Sequence, residues 1–237
     1  MFENCRTTRS IGIIQGPSGT GKTIALDVIR SRVAAAASPS IVHVMQCCRA
    51  TGPSSGVRAI MLDLGIGGAV TSNRSVAGLA YLLKLAQREI ASTNIVAICL
   101  DDADQYSIET LEGVVRLFDQ LRDVAPVVFL MTGVAPESQW IGQIPAAATR
   151  TLHIERSEPL TQKMTGAVLK KMSAKLDGLV GADLNGNELS KGSVKAIHTH
   201  TGGLLRRLRF FSDLANADAR QVLDRKAVDE LLAQMEA

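Results

Sequence analysis

Five short runs rich in β-branched residues punctuate the first two thirds of the chain: Ile11–Gln15, Ile41–Gln46, Ile95–Leu100, Val127–Met131 and Thr151–Ile154. The middle three are almost continuously apolar, the pattern of strands buried on both faces of a parallel sheet. Between them the apolar positions change period. Val76, Leu79, Leu83, Ala86 and Ile90 repeat at three and four residues, as do Ile108, Leu111, Val115, Phe118 and Leu121, which predicts amphipathic helices. Strands alternating with helices predict an α/β fold with a doubly wound parallel sheet flanked by helices. Near Pro159 the strand pattern stops. Only helix-like segments follow, roughly 160–176, 187–200, 203–218 and 224–236, broken by turn-rich stretches at Gly178–Asn187, Gly202–Gly203 and Asn216–Arg220. The expected organisation is an α/β core over residues 1–157 and a small helical domain over 158–237, with no internal repeat or long linker.

The first strand runs into Gly16-Pro17-Ser18-Gly19-Thr20-Gly21-Lys22-Thr23, a complete P-loop pattern. Its context is the required one, an apolar strand before and a helix after, with Ile24, Val28 and Ile29 as that helix's expected apolar face. Glycines let backbone N–H groups turn inward around a phosphate, and the helix N-terminus adds partial positive charge there. Lys22 is placed to reach the β- and γ-phosphates and the Thr23 hydroxyl to join a magnesium shell. A second half of such a site needs an acid at the end of a neighbouring strand. Ile95–Leu100 leads directly into Asp101-Asp102. Asp101 is the metal candidate and Asp102 the candidate base that polarises the attacking water. The plainer alternative is a solvated Asp-Asp-Ala-Asp turn in which Asp104 caps the next helix.

With these motifs placed, the chain resembles the AAA+ ATPases. In that superfamily a polar residue ends the strand lying between the P-loop strand and the acidic strand, and Thr132 holds that position here. A Gly-x-x-Arg signature opens a helix of the C-terminal lid, and Gly203-Leu204-Leu205-Arg206 matches it. An arginine just before the last core strand usually serves the next subunit's γ-phosphate. Arg150 is the better match and Arg156 the second. Within AAA+, the chain is similar to the DNA-transposition ATPases: the phage Mu B protein and the TnsC/TniB group, with the IstB helper more distant. The Asp-acid-Ala-Asp turn, the glycine-containing turn after the Thr132 strand, the apolar run Leu204–Leu214 and the closing helix Ala227–Met235 carry that likeness. The resemblance implies ATP and Mg²⁺ as ligands and slow hydrolysis. It also implies a homo-oligomeric ring or filament on double-stranded DNA, bound without sequence preference, and a transposase as partner. Two departures stand out. Asp102 occupies a position where the group usually has glutamate, and only about ten residues precede the first strand, too few for the helix-turn-helix domain of the Mu B protein. A secretion-assembly ATPase of the ExeA type shares much of the motif set and is the alternative.

Composition narrows this only a little. Hydrophobic residues make up 46% and charged residues 21% of the 237, an ordinary globular balance. Net charge is +3, and aromatics are 3%, which argues against a base-stacking platform for single strands. Phosphate contacts to DNA are expected from Arg49, Arg58 and Arg74, or from Lys170, Lys171, Lys175, Arg207 and Arg209. Cys5, Cys47, Cys48 and Cys99 show no zinc spacing and are expected as buried thiols. No apolar run approaches the ~18 residues that span a bilayer, Met1–Ser10 is polar, and a cytoplasmic location without membrane contact is expected.

Overall fold

The computed structural model describes residues 1–35, 40–46, 52–65, 76–172, 188–220, 223 and 225–235. The first elements are α1 (Phe2–Thr8), β1 (Ile11–Gln15), α2 (Lys22–Ala34), β2 (Ile41–Gln46), α3 (Pro53–Asp63) and α4 (Val76–Ala91). They are followed by β3 (Ile95–Asp101), α5 (Ile108–Leu121), β4 (Val128–Gly133), α6 (Pro145–Ala148) and β5 (Thr151–Arg156). Among the described residues four helices follow: α7 (Gln162–Met172), α8 (Glu188–Thr201), α9 (Leu205–Ala217) and α10 (Arg225–Gln234). All five expected strands are present, and they form one parallel sheet in the order β2-β3-β4-β1-β5.

The chain divides into two compact units, Met1–Gly16 with Lys22–Ser157, and Pro17–Gly21 with Glu158–Ala237. In the first unit the sheet has a core on each face. Phe118, Phe129, Ile60, Met61, Leu100 and Leu111 fill one, where Phe118 and Phe129 meet edge to face at 5.5 Å. Cys5, Ile14, Leu26, Val42, Cys99 and Leu130 fill the other. The strands read as apolar runs because both faces are covered. In the second unit the four helices enclose Leu169, Ile197, Leu208, Phe211, Leu223, Val228 and Leu231.

Several local expectations need correction. Met1–Ser10 is polar in sequence, yet Phe2–Thr8 forms a helix that buries Cys5. The face of α2 is rotated from the expected one. Leu26 is fully buried with Ile29 and Val33 packed beside it, whereas Ile24 and Val28 are 53% and 43% exposed. The stripe that meets the sheet is 26-29-33, not 24-28. Gly52 and Pro53 start α3, with proline in the first turn where its missing N–H costs nothing. Cys5 and Cys99 are free and buried as expected, while Cys47 and Cys48 lie outside the described residues. Among the described residues no helix is long and apolar enough to cross a membrane.

Candidate functional site

β1 and β4 are neighbours, with Ile14 opposite Thr132 and Gln15 opposite Gly133. Parallel strands point their C-terminal ends the same way, so the P-loop, Thr132 and the Asp101-Asp102 pair emerge at one end of the sheet. Gly16 N donates to Gly133 O at 3.1 Å, which fixes where the loop leaves the strand. Only glycine fits at this first position, because a Cβ would stand 2.0 Å from Ser157 O.

In the first unit three side chains form a hydrogen-bond chain. Thr23 Oγ1 donates to Asp101 Oδ2 at 2.6 Å, and Thr132 Oγ1 donates to Asp101 Oδ1 at 2.5 Å. Asp102 N donates in turn to Thr132 Oγ1 at 2.8 Å. Asp101 and Thr132 are buried, at 1% and 0% exposure, while Asp102 is exposed on a left-handed backbone with φ 54°. Lys22, 6% exposed, donates from Nζ to Gly16 O at 2.8 Å. The rest of the loop belongs to the second unit. There Thr20 N and Oγ1 both donate to Pro17 O, at 3.4 and 2.9 Å. Gly19 and Gly21 take φ of +84° and +98°, which disfavours any side chain at either position. Arg206 N donates to Gly19 O at 3.2 Å, and Arg206 Nη1 to Ser18 Oγ at 3.1 Å. All of the residues Gly16, Pro17, Ser18, Gly19, Thr20, Gly21, Lys22 and Thr23 therefore sit in a strand–loop–helix arrangement.

The donor set fits a magnesium–triphosphate ligand. Thr23 and Asp101 already bring two hard oxygens together, the ligand type Mg²⁺ prefers, and Lys22 places its ammonium group on the Gly16 carbonyl. Among the described residues no group of three or more His, Cys, Asp or Glu could hold a metal ion.

Arg150 sits elsewhere. Its carbonyl accepts from Ile11 N at 2.8 Å, at the start of β1, whereas the P-loop leaves its end, roughly 16 Å away at strand rise. Its Nε pairs with Asp119 Oδ1 at 2.7 Å, and its Nη1 contacts Ala146 O at 3.1 Å and Thr149 Oγ1. Arg156 is exposed at the end of β5. Asp104 does not cap α5. Ser107 does, accepting from Thr110 N at 3.2 Å, while Asp104 Oδ2 accepts from Val134 N and Ala135 N at 2.8 and 2.9 Å. The turn-like spacing of the acidic cluster gave no hint of that long-range bond. Of the basic candidates, Arg58 is half-buried on α3, and Lys170, Lys171, Arg207 and Arg209 are exposed on α7 and α9. Arg49, Arg74 and Lys175 lie outside the described residues.

A parallel sheet with a P-loop after an inner strand, an acid at the end of the next strand but one and a polar residue at the end of the strand between them defines a P-loop fold of the AAA+ type. A family profile described as an AAA domain matches residues 5–139. The chain belongs to that family. No curated protein matches the chain by sequence. Solved structures with the same fold include the Aeropyrum pernix ORC2 protein in ADPNP and ADP complexes, at TM-score 0.64 and 16% identity over 95% of this chain and 62% of that one. The Aeropyrum pernix ORC1 protein in complex with DNA aligns at TM-score 0.60 and 18% identity, over 96% and 60%. Domain III of the Thermotoga maritima replication initiation protein DnaA aligns at 0.59 and 14%, over 98% and 88%. The chain thus spans under two thirds of the length of the two Aeropyrum proteins.

Proposed function

We propose that the chain is an ATP-dependent switch that binds Mg-ATP, assembles with further copies on double-stranded DNA, and leaves it after hydrolysis. The observation that carries the nucleotide reading is the Thr23–Asp101–Thr132 hydrogen-bond chain beside a complete P-loop. In this reading Lys22 and the loop N–H groups of Gly16–Thr23 hold the phosphates, and Thr23 and Asp101 hold Mg²⁺. The metal supplies charge neutralisation at the β- and γ-phosphoryl oxygens. Asp102 accepts the proton of the attacking water, and Thr132 orients that water. Arg206, bonded to Ser18 and Gly19, is the lid-signature arginine of this reading.

The position of Arg150 supports a role in trans. It lies at the opposite end of β1 from the chain's own P-loop, so any contact it makes with a phosphate is with that of a neighbouring copy. Engagement there requires exchanging Asp119 for phosphate.

The DNA part of the reading is supported by the fold shared with ORC1, which was solved with DNA, and by exposed cations on α7 and α9. A transposase as the protein that reads this switch remains the favoured partner on the resemblance above. The test is anisotropy of a random-sequence duplex with ATP, with ADP and without nucleotide, paired with negative-stain imaging. Tight, salt-sensitive binding confined to ATP, with rings or filaments visible, is expected. Absence of binding in every nucleotide state overturns the DNA reading and leaves an ATPase that acts on a protein.

A further inference from the structure

The turn that follows β4 is held from three sides. Gly133 O accepts from the P-loop's Gly16 N, and Ala135 O accepts from Trp140 Nε1 and Gln15 Nε2 at 3.1 and 3.2 Å. The third hold is Asp104, whose Oδ2 takes both Val134 N and Ala135 N. Two short bonds from one carboxylate oxygen fix that turn more firmly than water-exposed backbone would be fixed. Asp104 stands two residues after Asp102 on the turn that ends β3, and the turn it grips stands two residues after Thr132. Asp102 N is itself bonded to Thr132 Oγ1. The two strand ends that carry the acid and the polar residue are therefore tied twice, once through Thr132 and once through Asp104. The packing is tight. A Cβ on Gly133 would approach Asp104 Cβ and Cγ at 3.3 Å and the Trp140 ring at 3.0 Å.

We infer that Asp104 is the positioning residue of the site: it locks the end of β3 to the end of β4, so that Asp102 and Thr132 keep one fixed spacing around the attacking water. This rests on the nucleotide reading above. Asp102 has a left-handed backbone, a conformation that aspartate tolerates better than most side chains. Its carboxylate direction is set by the backbone of residues 102–104, and the far end of that segment is anchored by Asp104. Loss of the clamp lets the turn rotate, and displacement of a catalytic base by about 1 Å costs up to ~100-fold in turnover. Phosphate binding, carried by Gly16–Thr23 and Asp101, stays.

The test is steady-state ATP turnover and equilibrium ATP affinity on Asp104→Ala, Asp104→Asn and Gly133→Ala. Asp104→Ala is expected to lower kcat ~10–100-fold while ATP affinity stays within about threefold. Asp104→Asn keeps an oxygen that can accept from both N–H groups and is expected to recover most of that loss. Gly133→Ala leaves the carboxylate in place but pushes on it, and is expected to show the same split between kcat and affinity; it carries the test if Asp104→Ala does not fold. Wild-type kcat in folded Asp104→Ala or in Gly133→Ala overturns the proposal, as does a loss of affinity equal to the loss of turnover. If the wild-type chain neither binds nor hydrolyses ATP, the nucleotide reading itself fails and the proposal falls with it. Hydrolysis by the wild type with unaffected variants refutes the clamp alone.

Discussion

Asp101→Asn separates the structural from the ligand-binding duty of one buried carboxylate. Asp101 is 1% exposed and accepts two short hydroxyl bonds, from Thr23 and Thr132. Bonds to a charged acceptor contribute about 1.5–3 kcal/mol each, so the pair supplies roughly 3–6 kcal/mol. Removing the carboxylate from water costs several kcal/mol in the opposite direction. Asparagine keeps the shape and one oxygen, and the threonine hydroxyls can turn to meet its amide. The two effects therefore nearly cancel, and the ligand-free protein is expected to change stability by no more than about 1–2 kcal/mol. The bound state behaves differently. At a hundredfold excess of ligand over Kd, binding adds about 2.7 kcal/mol. That corresponds to roughly 5–10 °C in Tm for a domain of this size. The magnesium-dependent part of that shift requires the negative charge beside Thr23. Thermal melts are recorded with ATP plus Mg²⁺ and with ATP plus EDTA. Wild type is expected to show a clear gap between the two conditions, and Asp101→Asn none, although its ligand-free Tm is nearly unchanged. A persistent magnesium-dependent gap in the variant refutes the assignment of Asp101 to the metal. A collapse of the ligand-free protein refutes the cancellation argument.

Other outcomes follow from the same geometry. Lys22→Ala is expected to abolish nucleotide binding, read by fluorescent-nucleotide titration; wild-type affinity would remove the P-loop assignment. Asp102→Asn is expected to bind ATP normally and to lose at least ~100-fold in single-turnover hydrolysis, and unchanged turnover would remove Asp102 from the base role. Arg150→Ala is expected to lower turnover at assembling concentrations without weakening ATP affinity, whereas Asp119→Ala, which frees the arginine, retains turnover. If both variants behave alike, the pair is merely structural. Burial pushes the Cys99 thiol up to about 12, with Asp101 nearby adding to the shift. The folded state thus holds that proton after the unfolded chain has begun to lose its own near 9.0, so stability is expected to fall as pH rises between these values. Peptide mapping after alkylation at pH 8 is expected to find Cys99 unmodified in native protein and modified in urea.

Local chemistry made the phosphate loop readable, because Gly16–Thr23 carries its whole message in eight adjacent residues. The strands were equally legible, since burial on both faces leaves unbroken apolar runs such as Ile95–Leu100. Other features depend on contacts made across long separations. Asp104 looks like a helix cap because it precedes one, and only the pairing of β3 with β4 brings Val134 and Ala135 to it. Arg150 and Asp119 likewise meet only after α5 and α6 are packed. The face of α2 was misjudged because apolar residues surround that helix, and periodicity alone does not choose among Ile24, Leu26, Val28 and Ile29.

The strand order also sets a timetable for synthesis. β1 is made before the other four strands, yet both its partners, β4 and β5, are the last two of the sheet. β4 begins about 110 residues after β1 ends, which at ~5–20 residues per second is a delay of several seconds or more on the ribosome. Through that interval Ile11, Ile13 and Ile14 have no strand to pair with, and the loop that follows them lacks the Gly133 carbonyl that anchors it. The nascent chain thus carries an apolar strand without its native partners for the whole stretch between β1 and β4. On the proposed reading the phosphate site forms only when the sheet has closed around β1, so a ribosome stalled before residue 128 carries the complete P-loop sequence without the site.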